Sequence, residues 1–304
     1  MPFASAPVLI FGEVLADIFP ERTTLGGAPF NVACHLAAFG ENPLFITRTG
    51  KDPLQDALLQ RMHKFNMSTK GVQIDPDHAT GQVEVHIDNQ GGHVFSIKAD
   101  QAYDYIDADQ ALAVAREHQP HLFYFGTLAQ RNKVSRMAFR ALHTHLRCKR
   151  VSDINLRLPW YTVPTIMDTL TASDVVKMSL EELQLLAHEL QLSGSAQEQW
   201  ARDLAERFSL ERLLITCGGD GAWQWRQEGK TLHAPPAQSS SAVVDTVGAG
   251  DAFPAVILLG LLHNWPDQLS LNRANAFARA ICTIRGAIPD DSSFYTPFLE
   301  AWHG

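Results

Sequence analysis

Residues 245 to 253 read DTVGAGDAF, two aspartates bracketing a loop made almost wholly of glycine and alanine. Small residues ahead of a helix let several backbone N–H groups converge on one point, where the helix dipole also favours negative charge. Gly248, Ala249 and Gly250 therefore form a candidate anion hole, with Asp251 in the first helical turn beside it. A carboxylate there is poorly suited to holding phosphate, but well placed to take a proton from a hydroxyl that attacks one. The chemistry this points to is phosphoryl transfer to an alcohol, with the loop stabilising equatorial charge and Asp251 acting as base. A plain helix start with an acidic first turn has the same local sequence, so the rest of the chain must decide.

The elements that would position this loop alternate between strand and helix. PVLIFG, LFITRTG, HLFYFG, RVSDINL, DVVKMS and RLLITCG read as strands. Helical patterns run from Ala28 to a stop at Gly40, and near 131–146, 162–171, 180–190 and 250–263. Asp52, Pro53 and Gln55 read as N-cap, first-turn proline and capping-box partner of a helix to about Phe65. Ser195 with Glu198 reads as the cap of a helix to about Phe208, and Ser270 as the start of the last one. Pro254 falls just past the first helical turn, where it removes an intrahelical bond. This alternation predicts an α/β fold: a doubly wound, mostly parallel sheet with helices on both faces. One stretch breaks it. GQVEVHIDNQGGHVFSIK alternates with period two around NQGG, a hairpin pattern. The organisation expected is a single domain over residues 1–304 with a small β lid from about 13–25 and 80–99.

Composition narrows the function further. The net charge of −8 and the lack of a basic cluster exclude a nucleic-acid partner. Apolar runs such as Val256 to Leu262 are too short to span a bilayer, so no membrane role is expected. The N-terminus lacks a basic region and reads as a strand, not a signal peptide. Cys34, Cys148, Cys217 and Cys282 lie far apart, as reduced thiols of a cytoplasmic protein do. His143 and His145 are two apart on a helix and cannot share a metal.

Taken together, these motifs resemble the ribokinase-like (phosphofructokinase-B type) carbohydrate kinases, whose pattern D-T-x-G-A-G-D is met by residues 245–251. GGAPFNVACHLAAFG resembles the family's glycine-glycine sugar motif, GEVLADIFP its first strand exit, DINLR its D-x-N-x-R stretch, TCGGDG its nucleotide loop and SLEE a variant of N-x-x-E. The resemblance covers nearly the whole chain, with the motifs in family order. Within the family, GGAPFNVA and the AYD at 102–104 are similar to bacterial fructokinases.

The resemblance implies ATP-dependent phosphorylation of a sugar hydroxymethyl group, fructose to fructose 6-phosphate, in a ribokinase-like fold. It implies sugar contacts at Asp17, Gly26, Gly27 and Asn31, with Lys98, Tyr103 and Arg157 as further candidates. Asn155, Lys177, Ser179, Glu182, Thr216, Gly218, Gly221 and Asn275 fall on the nucleotide side. Mg2+ would be held indirectly through Glu182, and a monovalent cation, K+, near Asp245. Because Ser179 replaces the usual asparagine, more of the metal role would rest on Glu182. A homodimer through the lid is also implied. Lys98 and Arg157 could instead face a carboxylate, which would suit 2-keto-3-deoxygluconate, and another sugar or a nucleoside is a further alternative. From a different class, a non-catalytic sugar or nucleotide sensor could keep the fold, but it would not need an intact loop and Asp251. A nicotinamide dehydrogenase lacks its G-x-G-x-x-G turn here.

Overall fold

The computed structural model describes residues 8–19, 22–87, 93–237 and 242–302. The chain divides into two compact units, one from residues up to Pro120 with Ala129–Leu146, the other from His121–Leu128 and Arg147 onward.

The first unit holds β1 (Val8–Phe11), β2 (Leu15–Ile18), β3 (Thr23–Gly26), α1 (Ala28–Ala38), β4 (Leu44–Gly50), α2 (Pro53–Lys64), β5 (Val72–Asp75), β6 (Gly81–Ile87), β7 (His93–Ile97), α3 (Ala108–His118) and α4 (Lys133–His145). Strands β1, β4 and β5 pair in parallel. Strand β1 and the first half of β4 are apolar because they are buried, with Phe45 against Phe30 of α1 and Phe11 against Phe139 of α4. By contrast, β5 buries Gln73 and Asp75 and exposes Ile74. A separate four-stranded sheet runs β3-β2-β6-β7. Its β6–β7 pair is antiparallel from Val83↔Ile97 to Ile87↔His93, as the period-two pattern predicts. The NQGG turn itself lies outside the described residues.

The second unit holds β8 (Leu122–Gly126), β9 (Lys149–Asp153), α5 (Val163–Thr171), β10 (Val175–Ser179), α6 (Leu180–Glu189), α7 (Gln197–Arg207), β11 (Arg212–Thr216), β12 (Ala222–Arg226), β13 (Thr231–Ala234), α8 (Ala249–Leu262), α9 (Asp267–Ile281) and α10 (Thr296–Trp302). Strands β8 to β11 are parallel neighbours, and β12 and β13 add antiparallel. Val176, Met178, Leu213 and Ile215 face one core, packed by Ile166 of α5, Leu183 and Leu186 of α6 and Leu204 of α7. The alternate residues Val175, Lys177, Leu214 and Gln224 point the other way and are buried too. Over β11 and β12 that second face is covered by α9, whose Asp267 takes Gln224, Arg212 and Arg226, and at β10 Lys177 lies against Gly250 of α8. Both faces are therefore filled, as expected of a doubly wound fold. No helix among the described residues is long and apolar enough to cross a membrane.

Three helix starts differ from their sequence reading. Asp52 does cap α2, accepting from the N–H of Leu54 and Gln55, but the Gln55 amide turns to Thr49 Oγ1 instead of closing a capping box. Ser195 and Glu198 do not cap α7. Its N-cap is Ala196, and Gln199 Oε1 accepts from the N–H of both Ser195 and Ala196. Ser270 lies buried inside α9, which begins at Asp267 after Pro266, and α10 follows it. Pro254 does not stop α8. Residues Ala252 to Gly260 of that helix are buried, so packing outweighs the missing bond.

Candidate active site

In the second unit, the backbone of residues 245–251 is fixed from several sides. Asp245 Oδ1 accepts from Val247 N at 3.0 Å and Oδ2 from Gly286 N at 3.0 Å, tying the loop to the chain after α9. Gly248 has φ +82°, and a Cβ there would stand 2.3 Å from Ala287 Cα, so only glycine fits. Its carbonyl accepts from Asp251 N at 3.1 Å and Ala252 N at 2.8 Å, starting α8. No side chain caps this terminus. A helix start whose cap is a glycine, with a Gly-Ala-Gly backbone, leaves space for an anion at its positive end. Asp251, half-buried in the first turn, stands beside that space.

Beneath it lies a charged cluster. The parallel register places Asp153 of β9 opposite Lys177 of β10, and their side chains pair at 3.0 Å. Burial pushes the Asp153 carboxyl up to about 7, against the pull of Lys177 and with the Glu182 and Asp251 charges adding to the rise. Glu182 acts as a latch. Its Oε2 accepts from Ser179 N at 2.7 Å in a capping box, and its Oε1 from Leu156 N at 2.6 Å, so it fastens the loop after β9 to the start of α6. Asn155, in that loop, takes the left-handed conformation at φ +40°. Arg157 is exposed, with Nη1 on the Leu156 carbonyl.

Of the residues expected to meet the nucleotide, Thr216 ends β11 and its Oγ1 donates to the Met178 carbonyl at 3.4 Å. A turn through Gly218–Asp220 follows, and Gly221 at φ +95° could not carry a Cβ, which would meet the Ala234 carbonyl at 2.3 Å. Asn275 of α9 donates to the Pro235 carbonyl at 2.8 Å, anchoring the exit of β13.

Of the residues expected to contact the sugar, all but Arg157 belong to the first unit. A Cβ on Gly26 would lie 3.7 Å from Asp17 Oδ2, so the glycine keeps open the space beside that carboxylate. Gly27 caps α1 at φ +104°, where a Cβ would press on the Glu13 carbonyl at 2.8 Å. Asn31, 5% exposed, sits one turn into α1. These four residues come together. Lys98 does not join them: it pairs with Glu84 at 2.8 Å and Gln82 at 3.2 Å, whereas alternation puts Val83, opposite Asp17, on the other face. Tyr103 is fully buried, and its hydroxyl has no hydrogen-bond partner among the described residues.

Sequence reasoning missed Arg131. Its guanidinium grips Asp104 through Nε and Nη2 at 2.7 Å each, donates to the Lys98 carbonyl at 2.6 Å and lies 4.9 Å over the Tyr103 ring. Thus AYD is held by a buried ion pair from a residue 27 positions on. Nothing local to Arg131 signals this. It also missed Asp75, which forms an ion pair with Arg48 Nε at 2.7 Å and accepts from the N–H of Asp77 and His78.

A family model described as "pfkB family carbohydrate kinase" matches residues 8–293. The chain belongs to that family. Its curated relatives include the fructokinase of Escherichia coli, 31% identical over 276 residues covering 84% of this chain and 85% of that one. Among solved structures, the ATP-bound fructokinase of Xylella fastidiosa superposes with a TM-score of 0.84 at 21% identity, covering 99% of this chain and 100% of that one. The Vibrio cholerae O395 fructokinase with fructose, ADP and calcium has a TM-score of 0.77 at 24% identity, covering 96% and 99%. At those identities, the structural matches establish the shared ribokinase-like fold.

Proposed function

We propose that the protein is an ATP-dependent fructokinase that transfers the γ-phosphoryl group to the sugar's hydroxymethyl oxygen. The observation that carries this reading is Asp251 in the first turn of a helix that no side chain caps, behind a Gly-Ala-Gly backbone. The acceptor hydroxyl gives its proton to Asp251 as its oxygen bonds to phosphorus, and the bond from phosphorus to the bridging oxygen breaks to release ADP. N–H groups of the Gly248–Gly250 loop take up charge on the phosphoryl oxygens. Asp17, Gly26, Gly27 and Asn31 hold the sugar, and the orphan Tyr103 hydroxyl is suited to one further sugar hydroxyl.

Mg2+ fits the donors present. It keeps several waters and takes one or two carboxylates plus phosphates, and the carboxylates of Glu182 and Asp251 are in range of the Lys177 ammonium that lies against the anion loop. Mg2+ held there with ATP would supply neutralisation of phosphate charge. Glu182 would act on it only indirectly, since both its oxygens already accept N–H groups. K+ near Asp245 and a homodimer through the β3-β2-β6-β7 sheet complete the reading.

Fructose is favoured over 2-keto-3-deoxygluconate because Lys98 is engaged by Glu84 and because the curated relatives of this chain include plant and bacterial fructokinases. Coupled ADP release over fructose, glucose, ribose, 2-keto-3-deoxygluconate and nucleosides tests it. The expected result is the highest kcat/KM for fructose. A preference for the keto acid replaces the acceptor but keeps the kinase, and no turnover on any acceptor overturns both. Loss of activity in K+-free buffer, and sedimentation as a dimer, check the remaining parts.

A further inference from the structure

The resemblance puts Lys177 on the nucleotide, yet its side chain is only 7% exposed, and that of its partner Asp153 only 1%. Lysine is almost never buried to this degree unless paired. A pair retained for stability alone would be expected to satisfy every oxygen, because an orphaned buried acceptor is costly. Here Asp153 Oδ1 has no hydrogen-bond partner among the described residues. Lys177 Nζ lies 3.8 Å from the place a Cβ on Gly250 would occupy, so the ammonium sits directly against the anion loop.

The surroundings are acidic. Burial works against the Lys177 ammonium, but Asp153, Glu182 and Asp251 outweigh it and hold its pKa above the ordinary value. Among the described residues, Lys177 is the only cation that bears on Asp153. A loop meant for phosphate, with three carboxylates in range and no cation, would repel its ligand. Resting on the kinase reading above, we infer that Lys177 is a positioning residue: clamped by Asp153, its ammonium is the fixed counter-charge beneath the Gly248–Gly250 loop that admits a phosphoryl group to a site ringed by carboxylates. Being buried, it acts through the loop and the field in the site, and not by gripping the nucleotide.

The test uses the full chain and the variants Lys177→Met, Lys177→Arg, Asp153→Asn and the double Lys177→Met/Asp153→Asn. The readouts are kcat, KM for each substrate, the pH profile of kcat, melting temperature, and calorimetric binding of ADP and a non-hydrolysable ATP analogue with Mg2+. Lys177→Met should lower kcat about 10²-fold, the scale of losing one preorganised charge, with KM for the sugar little changed. The triphosphate analogue should bind about tenfold more weakly while ADP is unaffected, a loss confined to the last phosphate. The acid limb of the kcat profile should move to higher pH, since Asp251 loses a nearby cation. Lys177→Arg should keep most of the activity, and Asp153→Asn, which retains the ammonium, should lose less than Lys177→Met. The double variant decides. It has no unpaired buried charge, so it should regain the melting temperature of the wild type but remain as slow as Lys177→Met. Recovery of kcat along with stability would make the pair merely structural and overturn the inference, as would an unmoved acid limb. If Lys177→Met does not fold, the double variant carries the test. If the wild type phosphorylates no acceptor, the kinase reading fails, and the triphosphate-against-ADP comparison still decides on Lys177.

Discussion

Two glycines of one loop should respond very differently to a single added methyl. Gly248 is in the left-handed region at φ +82°, and its Cβ would stand 2.3 Å from Ala287 Cα and 2.4 Å from Ala287 Cβ. The neighbour is backbone, so it cannot rotate away. A non-glycine residue in that conformation costs about 1 to 2 kcal/mol, and overpacking adds about 1 to 3 kcal/mol. Gly248→Ala should therefore destabilise by roughly 2 to 5 kcal/mol, lowering the melting temperature by about 3 to 8 °C for a chain of this size. Relief requires the loop to move away from Ala287, which displaces the N–H groups at the start of α8. A shift approaching 1 Å at a reacting centre costs about 10²-fold in kcat. At Gly250 the added Cβ meets only Lys177 Nζ at 3.8 Å, an ordinary contact. Gly250→Ala should leave the melting temperature within about 2 °C of the wild type, as surface-type substitutions do. The assay is differential scanning fluorimetry beside coupled ADP release on both variants. If Gly248→Ala melts and turns over like the wild type, the loop is not pinned by Ala287 and the account of its geometry is wrong.

Asp251→Asn preserves shape but cannot accept a proton, so kcat should fall about 10²- to 10⁴-fold while calorimetry shows sugar and nucleotide still binding; near-normal kcat removes Asp251 from the mechanism. Asp17→Ala should raise KM for the sugar by about one to two orders of magnitude through lost charge-assisted hydrogen bonds, with KM for ATP moving far less; equal changes in both would show a folding defect. At Asp75, burial alone would push the carboxyl up, but N–H groups of Asp77 and His78, the His78 ring and Arg48 outweigh it and hold it below its ordinary value. The stability it contributes is therefore present above an unfolded value of about 4 and is lost as pH falls through the folded value. Asp75→Asn should destabilise at pH 7 in urea denaturation, with the gap to wild type closing in strong acid; a gap that persists unchanged there would refute the assignment.

The parallel strands, the antiparallel β6–β7 pair and the helix beginning at Ala249 were legible in the sequence because each rests on residues a few positions apart. Alternation along GQVEVHI, apolar continuity in LFYFG and the glycines of DTVGAGD are local consequences of pleat, burial and backbone freedom. The order of the family motifs carried the kinase reading for the same reason: each motif is a short run whose chemistry is complete in itself. Helix starts proved less legible where several residues could cap. Ser195 has the side chain of a cap, but Gln199 reaches back to the N–H of Ser195 and Ala196, and the helix starts at Ala196 instead. What only the tertiary structure decided are pairings between distant positions. Arg131 reaches Asp104, Asp245 reaches Gly286, Glu182 reaches Leu156, and Lys177 meets Asp153 because two parallel strands settle in one register. No spacing rule encodes such partners. They are selected when burial removes water from a charged group and leaves one specific acceptor or donor within reach, a condition set by packing the whole sheet and not by any segment of it.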